Sequence, residues 1–136
     1  MVSRFERIRR NDPVFGRMTF MKGGRGYWEG TAHFIPTNSK VEVMVDGASD
    51  DSFSEQHEIF DKISQTWPEI VPKIMDAIAF AFPDHSRGFI ISSLSIPKSR
   101  CLEDAEWDVM FETPSTGYFY TAVMKGAEVL RIDWDS

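Results

Sequence analysis

Apolar residues alternate with polar ones on both sides of a central stretch in which they recur every three or four positions instead. Val14, Gly16, Met18 and Phe20 alternate with Phe15, Arg17, Thr19 and Met21; Trp28, Gly30, Ala32 and Phe34 with Tyr27, Glu29, Thr31 and His33; and Val41, Val43 and Val45 with Glu42 and Met44. A period of two predicts three half-buried strands. The loops between them, Lys22-Gly23-Gly24-Arg25-Gly26 and Pro36-Thr37-Asn38-Ser39, are of hairpin length, so the three read as an antiparallel meander. Upstream, Asp12-Pro13 predicts a turn, while residues 4–10 hold only Phe5 and Ile8 to bury and favour neither strand nor turn. Beyond the central stretch, four more strands are expected over residues 89–96, 107–112, 118–124 and 129–134, punctuated by Pro97, by Pro114-Ser115-Thr116-Gly117 and by Lys125-Gly126.

The central stretch, residues 52–82, changes the period. Ser52-Phe53-Ser54-Glu55 has the spacing of a capping box, in which the serine hydroxyl and the glutamate carboxylate each take the other's amide. Ile59, Phe60, Ile63 and Trp67 then recur at helical spacing, as do Ile70, Ile74, Ile78 and Phe82. Proline lacks an amide and disfavours helical geometry in the residue before it, so Trp67-Pro68, with Pro72 beyond, predicts a break between two helices. Each buried Ile or Phe is worth roughly 1.5–3 kcal/mol, which makes the two stripes the anchor of the domain. Strands, helices and strands joined by short loops predict an α+β fold over residues 1–136: an antiparallel sheet of about seven strands with a helical pair packed on one face.

At 136 residues the chain has the length of one domain that builds its own core. No apolar run approaches the roughly 20 residues needed to span a bilayer, so no membrane partner is expected. The first ten residues lack an apolar signal core, and Cys101 has no second cysteine to pair with; both point to the cytoplasm. The net charge of −6 is uneven: residues 1–25 carry +5 and the remainder −11. An acidic body disfavours nucleic acid as a partner and leaves the basic arm to neutralise acidic groups of its own or a neighbouring chain.

Candidate chemistry is sparse. His33, His57 and His85 are scattered and lack a zinc-ligand spacing: His33 falls on the strand face opposite Trp28, Ala32 and Phe34, His57, one turn before Asp61, is expected to pair with it on the helix surface, and His85 lies in the Pro83-Asp84 turn. No serine sits in a nucleophile elbow. Cys101 lies beside Arg100, which favours its thiolate. Lys22 to Gly26 precedes a strand, not the helix a phosphate cradle needs, and Asp46-Gly47-Ala48-Ser49-Asp50-Asp51 fails the calcium-loop spacing. Catalytic, metal and cofactor residues are therefore expected to be none. The carboxylates Asp46, Asp50, Asp51, Glu55, Glu58 and Asp61 cluster before and within the helix start. There they offset the helix dipole and offer a docking face for a basic protein partner. Tyr27, His33 and Met44 with Tyr118 and Tyr120 are read either as an outward aromatic patch or as half of a second small core. The leading expectation is a non-enzymatic protein-binding module. The alternatives are a small-ligand-binding domain or an enzyme using Asp46 or Asp108, and a self-associating protein whose last strand pairs with a second copy.

Asp12-Pro13-Val14-Phe15-Gly16-Arg17-Met18-Thr19-Phe20, followed by Tyr27-Trp28-Glu29-Gly30, resembles a group of uncharacterised bacterial domains. In these an Asp-Pro-x-(Phe/Leu)-Gly start opens an N-terminal hairpin and Trp-x-Gly marks its second strand. Trp67-Pro68-Glu69 is similar to the step at which their helix often ends. The resemblance covers roughly residues 12–82 and is loosely similar to immunity proteins of bacterial toxin systems. It implies a binding protein and supplies no catalytic residues.

Overall fold

The period-two segments assemble into a single sheet. The computed structural model describes residues 8–23, 26–85 and 88–135; the basic residues Arg4, Arg7 and Arg25 lie outside them. The strands are β1 (Arg9–Asp12), β2 (Gly16–Met21), β3 (Tyr27–Phe34), β4 (Ser39–Asp46), β5 (Ile90–Ile96), β6 (Glu106–Thr113), β7 (Tyr118–Lys125) and β8 (Glu128–Asp135), with one helix, α1 (Ser54–Ala81), between β4 and β5. Spatial order follows sequence order, β1 to β8. All neighbours are antiparallel except β4 and β5, which run parallel with Val43 beside Leu94. A parallel pair needs a crossover, and α1 is that crossover.

Three expectations change here. The sheet has eight strands among the described residues, not seven. The added β1 is short and polar, and it is held by main-chain pairing with β2 rather than by side-chain burial. The expected helical pair is one helix of 28 residues that runs through Pro68 and Pro72. Both prolines are exposed, four residues apart on the solvent stripe, so water can reach the carbonyls that lose an amide partner. An interior proline costs about 3 kcal/mol, whereas the opposite stripe buries Ile63, Trp67, Ile70, Ile74 and Ile78 at roughly 1.5–3 kcal/mol each. Burial wins. The start of α1 also differs: Phe53 is the N-cap with no side-chain cap, and the Ser52 hydroxyl accepts the Ser54 amide at 3.3 Å instead of that of Glu55.

The core lies between α1 and one face of the sheet. Trp28, Phe34, Val43, Leu94, Val109 and Tyr120 come from the strands and Ile59, Ile63, Ile70 and Ile74 from the helix, all at most 1% exposed. The Asp-Pro-x-Phe-Gly and Trp-x-Gly residues account for the hairpin geometry. One Asp12 carboxylate oxygen accepts the amides of Val14 and Phe15, each at 2.9 Å, and Gly16 follows at φ +68°. The Phe15 carbonyl then accepts the Thr31 amide at 3.0 Å, so close to Gly30 that any Cβ there would collide with it.

Candidate functional site

Residues that alternate with the core positions point to the other side of the sheet, which no described element covers. Strand register lines them up in rows. One row runs Thr19, Glu29, Met44, Ser95, Asp108, Val123, Arg131, and the next runs Thr31, Glu42, Ser93, Met110, Thr121, Asp133. Four shallow depressions of about 280 to 390 Å³ lie along this face. Carboxylates recur across it, on β3 (Glu29), β4 (Glu42, Asp46), β6 (Asp108, Glu112) and β8 (Asp133, Asp135), with Arg17, Lys40 and Arg131 interspersed.

Asp108 is half-buried near the middle of the face. Burial pushes its carboxyl above the ordinary carboxylate range; the Ser95 hydroxyl opposes this and the Asp133 charge reinforces it. Asp133 is itself engaged by the Arg131 Nε at 3.3 Å. Asp46 and Asp108 line one depression of about 300 Å³ together with Ser95 and Glu106.

The six carboxylates grouped by sequence are distributed over two sides. Asp46, paired in register with Tyr27, belongs to the open sheet face. Asp50 and Asp51 lie in the loop that rounds the sheet, and Glu55, Glu58 and Asp61 are on α1. Asp51 is committed locally: its carboxylate accepts the Ala48 amide at 2.8 Å and approaches Lys98 Nζ at 3.5 Å. The Ala48 amide is the main reason its carboxyl sits below the usual range. Arg10 caps the same loop, donating to the Asp51 carbonyl at 2.6 Å with its guanidinium 3.7 Å from the Phe53 ring centroid. This residue of the basic arm thus meets the acidic loop through a main-chain carbonyl and an aromatic ring, and its charge is the smallest of the influences that lower the Asp51 carboxyl.

Three sequence expectations are corrected here. His57 pairs not with Asp61 but with Asp12, its Nε2 lying 2.9 and 2.8 Å from the two carboxylate oxygens. Tyr118 and Tyr120 do not join Tyr27, His33 and Met44 on the outer face: Tyr120 is fully buried on the helix side, because β7 turns its even-numbered residues inward. Cys101 is not activated by Arg100. The Asp104 amide favours its thiolate, but the side chains of Asp104 and Glu103, together with desolvation, outweigh it and raise the thiol. Among the described residues no cluster of three or more His, Cys, Asp or Glu side chains is placed to hold a metal ion. No helix among them is long and apolar enough to cross a membrane.

Sequence reasoning missed a concave site on the helix side. A groove of about 570 Å³ runs beside the C-terminal half of α1, lined by Val71, Met75 and Phe82 of that segment, by Phe89 and Ile91, and by Phe111. His85 also lines it. Its Nδ1 is hydrogen-bonded to the Tyr120 hydroxyl, which burial holds in its protonated form, and its ring stacks on Phe82 at 4.9 Å and meets Trp134 at 5.2 Å. The partners come from residues 82, 85, 120 and 134, and no local spacing announces them. No family model, curated protein or solved structure matches the chain.

Proposed function

We propose that the protein is a non-catalytic binding module that docks a basic protein partner on the helix-free face of its sheet. The observation that supports this best is the run of carboxylates on β3, β4, β6 and β8, projecting in register from a face that no described element covers. Such a field attracts a basic partner and rejects acidic ones. The resemblance to toxin-immunity proteins suggests the partner class, a basic toxin neutralised by occlusion. The carboxylates at the start of α1, Glu55, Glu58 and Asp61, form a separate patch and are the competing docking surface.

Affinity capture by the immobilised chain from its own cells, followed by calorimetry with the recovered protein, tests the reading. Reversing Glu42 and Asp133 to lysine is expected to weaken the complex at least tenfold, and reversing Glu55 and Glu58 to leave it unchanged. The opposite pattern moves the interface to α1. A partner that binds both variants as tightly as the parent sinks the proposal. A second reading, small-ligand binding or a carboxylate-dependent reaction, draws on Asp46 and Asp108 sharing one depression. Turnover or ligand binding lost in Asp108→Asn would favour it.

A further inference from the structure

β8 pairs with β7 on one side, and no described strand lies along its other side. A strand so placed offers main-chain amides and carbonyls to a second strand. The two rims of the sheet differ in this respect. β1 is four residues long and polar, which blunts a rim. β8 is eight residues long, contains neither proline nor lysine, and leaves Leu130 and Trp134 exposed. Its bulge against β7 falls at Leu130, and residues 131–135 keep an unbroken register. Trp134 is held in place by the rings of Phe82, His85 and Tyr118, so little side-chain freedom remains to be lost on contact.

The order of charges along β8 selects a partner. Directly opposed residues of an antiparallel pair share a face, so two copies related by a two-fold axis through the sheet can oppose only residues an even number of positions apart. Centring on Arg131 sets that guanidinium against its own copy, and centring on Asp133 does the same with two carboxylates. Like charges directly opposed are unfavourable. Centring on Ile132 instead sets Arg131 of each copy opposite Asp133 of the other and Leu130 opposite Trp134, with Ile132 against Ile132. Each favourable pair then occurs twice. Centres nearer either end of the strand shorten the ladder. Within one chain Arg131 and Asp133 are 3.3 Å apart and both exposed, a weak pairing that is readily exchanged for one across the axis.

We infer that the protein forms a two-fold dimer through β8, in which a second copy of the chain continues the sheet across an antiparallel ladder centred on Ile132. The interface is a strand edge and does not depend on what docks on the open sheet face.

Sedimentation equilibrium of the full chain alone, at concentrations rising to about 1 mM, tests it. The parent is expected to pass from monomer to dimer and no further. Arg131→Asp opposes two carboxylates twice across the axis and should weaken the dimer at least about tenfold. Combining it with Asp133→Arg puts opposite charges face to face again and should restore the parental constant. Only the Ile132-centred register predicts that rescue, since the Arg131- and Asp133-centred registers keep like charges opposed in the double variant. Amide hydrogen exchange of the parent gives a second measurement that needs no variant to fold. With rising concentration, exchange should slow at alternate amides of residues 130–134 and stay unchanged in β1. A parent that remains monomeric overturns the dimer, and so does a dimer that leaves β8 exchange unchanged. Slowing in β1 as well as β8 overturns the two-fold arrangement in favour of head-to-tail pairing. A double variant that fails to recover, while melting as the parent does, overturns the register.

Discussion

Asp12 fastens the β1–β2 turn to the first turns of α1 with a single carboxylate, taking two amides and the His57 ring while 7% exposed. Burial opposes its charge, but the amides of Phe15 and Val14 and the imidazole outweigh it and hold the carboxyl below the ordinary value of 3.8. A carboxyl depressed in the folded state stabilises it above the unfolded value and loses that contribution as pH falls through the folded one. Asp12→Ala is therefore expected to cost about 2–3 kcal/mol at pH 7 in urea unfolding, with the gap to the parent closing below about pH 4. Asp108 carries the opposite sign. Its carboxyl is raised, so its ionised form is disfavoured by folding. Asp108→Asn should raise the melting temperature at pH 7, and the gain should disappear as pH falls through the carboxylate range. Gly30 is a third position with a definite forecast: a Cβ there meets the Phe15 carbonyl, so Gly30→Ala should destabilise by roughly 2–4 kcal/mol, a cost of backbone displacement at a packed site.

The elements divide sharply in how visible they are from sequence. β3, β4 and β6 were legible in both extent and facing, because each places its large apolar residues at strict alternation against a helix. β1 was not, since Arg-Arg-Asn-Asp offers no side-chain pattern and its strand is made by pairing alone. The facing of β7 was misread because Tyr118 and Tyr120 alternate with Phe119, an equally apolar choice. α1 was legible as a buried stripe but not as a continuous rod, since proline's local penalty is visible in the sequence and the compensating tertiary burial is not. That balance is testable. Pro68→Ala and Pro72→Ala should each restore a main-chain hydrogen bond on the exposed side. Less the unfolded-state advantage of proline, each should stabilise by about 1–2 kcal/mol, read from the urea midpoint at unchanged slope.

For the whole molecule, the charge imbalance was visible in composition, but its division between two surfaces was not: residues 46–61 are contiguous in the chain and straddle the sheet in space. If the open face is the interface, association rate should fall steeply between 50 and 300 mM salt while dissociation changes little, as expected when steering rather than contact energy is screened. Stopped-flow with the recovered partner reads this directly. The last strand, β8, pairs only with β7 among the described residues and exposes Leu130 and Trp134 by 51% and 44%. Sedimentation at rising concentration therefore distinguishes self-association through that strand, which Leu130→Lys should suppress.

Because strand order copies chain order, β1 and β8 occupy opposite rims of the sheet. Tension applied through the two ends of the protein loads the outermost ladders first and one hydrogen bond at a time, so strands peel inward like opposed zips. Resistance is concentrated in the middle, where the β4–β5 seam and the rod that bridges it must give way together. Such a chain yields at low force from its margins and surrenders its centre last.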